Sequence, residues 1–151
     1  MSGYRRVLAF VTVTVDAEAV VRRAVRMARL HGASLALATV ADVVPGFECD
    51  RYPVTSGDEL KRAIAADLRA RLDRLLVDAQ GAGEIIVVCG ETRDAVAHTL
   101  RSWRPDLVVV AGRADHGVPT VANGRFDALT VGEPGRPGYA GRMWNALASM
   151  L

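Results

Sequence analysis

EIIVVCGETRDAVAHTLRSWRPDLVVVAG, residues 84–112, holds a complete strand, helix and strand. The runs at 84–90 and 106–112 are apolar and β-branched without polar alternation, the pattern of strands covered on both faces. Between them, residues 91–103 place Val96, Leu100 and Trp103 inward on a helix that Pro105 ends. Two such strands joined by a helix run parallel in one sheet, linked by a crossover.

The same grammar extends toward the N-terminus. VLAFVTV (7–13) and SLALATV (34–40) read as two more buried strands. Between them a helix starts at Asp16, whose side chain suits an N-cap, and stops at Gly32. It carries Val20, Val21, Ala24, Met27 and Ala28 on one face and Arg22, Arg26 and Arg29 on the other. Residues 41–56, with Pro45, Gly46 and Pro53, form a long loop. From 58 to 80, Leu60, Ile64, Leu68, Leu72, Leu75 and Leu76 recur at helical spacing, and Asp58/Arg62, Asp67/Arg71 and Arg74/Asp78 lie four apart. The first 112 residues therefore read β-α-β-loop-α-β-α-β. The expected fold is α/β: an open, mostly parallel twisted sheet with helices on both faces and right-handed crossovers.

Beyond Gly112 the pattern thins. Residues 112–141 form an atypical region punctuated by Gly117, Pro119, Gly124, Gly132, Pro134, Gly135, Pro137, Gly138 and Gly141, and within it 125–131 alone has strand character. Residues 142–151 gather Met143, Trp144, Leu147, Met150 and Leu151 on one helical face. Either FDALTV (126–131) is a fifth strand and the terminal helix an addition, or 118–141 is an insertion and a fifth strand is absent; the first is preferred, because an uncovered fourth strand would leave an apolar edge.

Composition narrows the function. The 151 residues are 50% hydrophobic and 24% charged, which suits one globular domain spanning 1–151. The 19 basic and 17 acidic residues are spread along the chain, so no basic tail marks it for nucleic acid. Eighteen of the basic residues are Arg, Lys61 being the exception, a bias we assign to overall composition. Apolar runs fall short of the roughly 20 residues that a bilayer-spanning helix needs. No secretory cleavage pattern follows Arg5 and Arg6, and Cys49 and Cys89 have neither number nor spacing for a disulfide framework or zinc site. We expect a cytoplasmic protein with both thiols reduced.

In an open parallel sheet, ligands bind beyond the carboxyl ends of the strands where strand order reverses. If the first and fourth strands meet there, Thr12, Val13 and Thr14 wall one side of the crevice, and Gly112, Arg113, Ala114, Asp115 and His116 the other. Val40, at the tip of the second strand, and Gly117 and Gly124 complete the candidate set. Glycines admit close backbone approach, helix N-termini offer N–H donors to phosphate, and Arg113 supplies a charged fork. The alternative is an ordinary loop with a solvated Arg.

YRRVLAFVTV, AVRMARLHGASLALATV, VVCGETRDAVAHTL and PDLVVVAGRADHG, in this order around a long amphipathic helix, resemble the universal stress protein family over residues 4 to 117. The D-L-(apolar)3 strand running into a glycine loop is the most specific element, and Gly90 falls where the family keeps a glycine. The resemblance implies a Rossmann-like, adenine nucleotide alpha hydrolase-like sheet of order 3-2-1-4-5, a homodimer often paired through the fifth strand, and, in one subgroup, ATP at the tips of strands 1 and 4. Two departures stand out. Thr12 occupies the place of that subgroup's Asp, and of its G-x2-G-x9-G-[S/T] loop only Gly112 carries over, since Asp115 and Arg125 take the next positions and Gly117 and Gly124 are out of register.

No catalytic constellation accompanies the crevice: the chain has no G-x4-G-K-[S/T], G-x-S-x-G or C-x-x-C. His31, beside Gly32, suits a helix C-terminus; His98 reads as a surface residue near Asp94; His116 reads as a solvated turn residue or a phosphate contact. The three do not make metal-ligand spacing. Cys89, before a helix N-terminus, reads first as a small apolar residue ending a strand and second as an activated thiol. The expectation is a non-catalytic stress-response or regulatory domain acting through dimerisation and protein contacts, with ATP or another adenine nucleotide as its candidate ligand. The rival is an ATP-binding switch with slow hydrolysis, and a third reading is a regulatory domain serving a transporter or kinase in trans.

Overall fold

The structure is a computed structural model that describes residues 3–12, 16–41, 57–111, 120–122 and 126–131. In chain order the elements are β1 (Arg6–Phe10), α1 (Ala17–His31), β2 (Ser34–Ala41), α2 (Gly57–Asp78), β3 (Glu84–Cys89), α3 (Thr92–Trp103), β4 (Leu107–Ala111), β5 (Thr120–Ala122) and β6 (Phe126–Val131). The sheet order is β3-β2-β1-β4-β6-β5. All pairs are parallel except β5 against β6.

The open parallel sheet expected from the sequence is present, and FDALTV is its fifth parallel strand, in register with β4 from Leu107↔Asp127 to Ala111↔Val131. The short antiparallel β5 lies inside the region read as Gly/Pro-rich loop. Its three residues, TVA, are too few to show a period. The terminal face of Met143, Trp144, Leu147, Met150 and Leu151 lies outside the described residues.

Side chains alternate across the sheet and build two cores. Val7, Ala9 and Val11 of the first strand region, with Leu35, Leu37, Leu107, Val109 and Leu129, pack under α1 and the C-terminal half of α2 (Leu72, Leu76). On the other side Leu8, Phe10, Ala36, Ala38, Val108, Val110 and Ala128 pack with Val96 and Trp103 of α3. The N-terminal half of α2 closes a smaller cluster of Leu60 and Ile64 on Ala41. Each large side chain fully buried in this way contributes about 1.5–3 kcal/mol before the entropy of ordering it.

The helix ends follow backbone chemistry more than side-chain caps. Asp16 does hold the N-cap position of α1, but its side chain makes no capping bond; its carbonyl accepts the Val20 N–H at 3.0 Å. At the other end Gly32 turns left-handed (φ 62°), which lets the Ala33 N–H reach the Ala28 carbonyl at 2.8 Å. Of the helical charge pairs expected in α2, Asp67 and Arg71 meet at 3.3 Å on the surface, an arrangement worth a few tenths of a kcal/mol.

After α2 the chain passes very close to its neighbours. A Cβ on Gly81 would stand 2.6 Å from Val25 Cγ2, and one on Gly83 would stand 2.4 Å from the Leu35 carbonyl oxygen. The Arg29 guanidinium donates to the Gln80 carbonyl across the same junction.

The amino ends of β1, β4 and β6 are tied together. The Asp106 carboxylate accepts the Arg5 and Arg6 backbone N–H groups at 2.7 and 2.8 Å. The Arg6 Nε donates to the Trp103 carbonyl at 2.8 Å while its guanidinium lies 4.1 Å from the centroid of that indole. The Asp127 N–H donates to the Asp106 carbonyl, and the Tyr4 hydroxyl donates to Asp127 Oδ2 at 2.6 Å. That hydrogen bond, helped by partial burial and by the Asp127 and Asp106 charges, pushes the Tyr4 hydroxyl up to about 12.

Two outcomes are expected. Gly83→Ala drives a methyl into backbone that cannot rotate away and costs about 1–3 kcal/mol, measurable as a lower urea midpoint. Below the ordinary tyrosine value of 10.0 Tyr4 is neutral in both folded and unfolded chains, so its bond contributes fully; between there and about 12 only the unfolded chain ionises, and stability falls. Tyr4→Phe removes that part of the alkaline loss, and urea melts across this window in both proteins check it.

Candidate functional site

The chain leaves β1 for β2 and β3 on one side, then returns to β4 on the other, so strand order reverses between β1 and β4. A crevice at their carboxyl ends follows from that topology. Phe10 is level with Ala38 of β2 and Val110 of β4. One residue on, Val11 is fully buried and donates its N–H to the Ala38 carbonyl at 2.8 Å. Thr12 then emerges half-buried at the mouth.

Val40 lies two residues beyond Ala38 and half-buried, packed on the α3 side, so Thr12 and Val40 reach the same end of the sheet. The other candidates, Val13, Thr14, Gly112, Arg113, His116, Gly117 and Gly124, lie outside the described residues, as do Ala114 and Asp115.

The described floor of the crevice is apolar. Ala17 at the start of α1 packs in one cluster with Val11 and Ala111, which brings the first turn of the helix against the tips of β1 and β4. The positive end of the α1 dipole thus lies at the crevice, where it favours an anion. Two buried hydroxyl residues also lie toward this end, Thr39 in β2 and Thr130 in β6. Sequence reading passed over both, although a threonine inside an otherwise apolar strand run is a legible signal.

Cys89 ends β3 exposed, beside Gly90, whose φ of 139° turns the chain toward α3. Cys89 ends the strand as read from the sequence, and its side chain is exposed because β3 lies at the edge of the sheet. Cys49 lies outside the described residues. His98 is exposed, as expected, and His31 meets the Tyr4 ring edge-on at 4.9 Å, at the end of the sheet opposite the crevice. Among the described residues no three His, Cys, Asp or Glu side chains gather as a metal site, and no helix is long and apolar enough to cross a membrane.

An open parallel sheet with helices on both faces and a strand-order reversal between β1 and β4 defines the class of doubly wound α/β domains. Within it, the model of the universal stress protein family matches residues 3–141, and the chain belongs to that family. No curated protein matches the chain.

Solved structures show the same fold. A universal stress protein crystallised with cAMP is 24% identical, with a TM-score of 0.55 and coverage of 87% of this chain and 98% of that one. UspA from Lactobacillus plantarum is 20% identical (TM-score 0.57; 78% and 86% covered). A family protein from Arabidopsis thaliana with AMP bound is 12% identical (TM-score 0.54; 91% and 98% covered).

With Cys49→Ser as background, the exposed Cys89 is expected to react with a thiol reagent in the native protein at the rate of an accessible cysteine, without denaturant. A thiol that reacts only after unfolding would show that the tip of β3 is covered.

Proposed function

We propose that this chain is a non-catalytic regulatory domain that takes an adenine nucleotide as a ligand in the β1/β4 crevice and acts through a homodimer and contacts with a regulatory protein partner. The observation that carries this reading is the strand-order reversal, which opens the sheet at Thr12, with the positive end of α1 packed against the same strand tips. Structures of the same fold crystallised with cAMP and with AMP support an adenosine monophosphate unit as the part recognised.

The division of labour in such a site is physical. An apolar floor accepts the purine, β2 and β1 tips offer backbone groups to its edge, and the helix N-terminus faces the phosphate. Thr12 brings a hydroxyl where the family's ATP-binding subgroup has a carboxylate. A hydroxyl there lacks the charge and the basicity of a carboxylate, which favours a bound effector over a hydrolysed substrate. The second reading, a slow ATPase switch, requires those roles to be filled from the loop carrying Gly112, Arg113 and His116.

Calorimetric titration with ATP, AMP and cAMP, together with chromatography of the supernatant from denatured protein, tests the proposal. Binding tighter than about 100 μM, roughly 5.5 kcal/mol, is expected, with no phosphate released from ATP. Thr12→Phe, which fills the mouth, is expected to weaken it at least tenfold while the thermal midpoint holds. Absence of both heat and co-purified nucleotide overturns the nucleotide reading, and steady phosphate release that Thr12→Phe abolishes supports the switch instead.

A further inference from the structure

We propose that the exposed face of α1 is a docking surface for an acidic segment of a partner protein, held by Arg22, Arg23 and Arg26 and anchored on Leu30. The proposal rests on the protein partner of the preceding reading and assigns the surface and chemistry by which it binds.

Positive charge is concentrated on this one helix. α1 carries four arginines, Arg22, Arg23, Arg26 and Arg29, against a single acid, Glu18, for a net +3. The whole chain has a net +2, so everything outside α1 sums to −1. α2, packed beside it, is balanced, with five acidic and five basic residues. A compositional preference for arginine over lysine accounts for the residue type and not for this placement.

Helix stability does not ask for the arrangement. Arg22 and Arg26 lie four apart and Arg23 and Arg26 three apart, and like charges at those spacings destabilise a helix. The helix dipole favours basic residues in the last turn, which accounts for Arg29 and not for Arg22 and Arg23 in the first half. Arg29 also has a structural task, donating to the Gln80 carbonyl. Arg22 meets Glu18 only at 4.0 Å, with both side chains about two-thirds exposed. Arg23 and Arg26 are exposed and have no acidic partner among the described residues.

An apolar side chain lies in the same stripe. Arg23, Arg26 and Leu30 follow one another at i, i+3 and i+7, opposite the buried Val20, Val21 and Ala24. Leu30 is 74% exposed, at a position where the solvent face of an amphipathic helix ordinarily carries a polar residue. The stripe runs about 10.5 Å at 1.5 Å per residue, a length that a short peptide segment spans.

The chemistry selects the occupant. A row of guanidinium groups takes carboxylates through their planar forks, and Leu30 asks for an apolar contact among them. A membrane-lying helix inserts its whole apolar face, and that of α1 is already buried against the sheet. A nucleic acid brings phosphates that leave Leu30 uncovered, and the balanced α2 does not extend a basic track for its backbone. An acidic protein segment with an apolar residue between its carboxylates meets every group.

Fluorescence anisotropy of a labelled peptide of Glu-Glu-Leu repeats, titrated with the full chain, tests the surface. Saturable binding is expected at low salt and its loss in 1 M salt, where the screening length is about 3 Å. Arg23→Glu with Arg26→Glu is expected to weaken binding at least tenfold without lowering the thermal midpoint, since it removes like-charge pairs; Arg23→Gln with Arg26→Gln serves should the reversal unfold. Arg62→Glu with Arg74→Glu makes the same change in net charge on α2 and is expected to alter binding less than twofold. Leu30→Ser is expected to weaken this peptide and to leave unchanged one with glycine in place of leucine. Equal losses from the α1 and α2 reversals show attraction to net charge alone and overturn the surface. So does tighter binding, through the same arginines, of a DNA duplex or of phosphatidylcholine vesicles containing phosphatidylglycerol. Binding that only the α2 reversal removes keeps a protein partner and overturns the α1 surface, whereas a chain that binds neither this peptide nor its Lys-Lys-Leu counterpart overturns the surface and the partner together.

Discussion

The structure depends on covering β1 from both sides. After the exposed Arg6 its residues alternate between the two cores, Val7 and Ala9 toward α1 and α2, Leu8 and Phe10 toward α3, and none of these four is more than 1% exposed. A strand with two apolar faces has no solvent side to offer, so it lies in the middle of a sheet with helices above and below. From that placement the rest follows. β2 and β4 flank it in parallel, each connection must cross over, and strand order must reverse beside β1, which opens the crevice at its carboxyl end.

The two ends of the strands divide stability from ligand chemistry. At the amino ends Asp106 holds the backbone of Arg5 and Arg6, Arg6 covers Trp103, and Tyr4 reaches Asp127, so β1, β4 and β6 are fixed to one another by polar contacts. At the carboxyl ends the described side-chain packing is mainly apolar, and Thr12 and the first turn of α1 lie at the crevice. Fixing one end of the sheet leaves the other free to be shaped by its loops.

The same sheet also separates its edges. β6 covers β4, and β5 covers β6, so the side of the sheet expected to carry a pairing strand terminates in three residues. β3, on the far side, keeps its apolar flanks half-exposed.

Much of this was legible in the sequence because burial on both faces leaves a continuous apolar run. VLAFVTV, SLALATV, EIIVVC and DLVVVAG each announce a strand, and the i, i+4 spacing of Leu60, Ile64, Leu68, Leu72 and Leu76 announces the long helix. Topology then located the crevice and brought Thr12 and Val40 into view. What the sequence by itself determined was the identity and order of the elements, since those rest on local periodicity. Only the tertiary structure decided that Asp106 clamps Arg5 and Arg6, that Tyr4 bonds Asp127, that TVA adds an antiparallel edge, and that Cys89 is exposed. Each of these depends on which residues far apart in the chain become neighbours, a property set by packing and hydrogen-bond geometry that no local pattern carries.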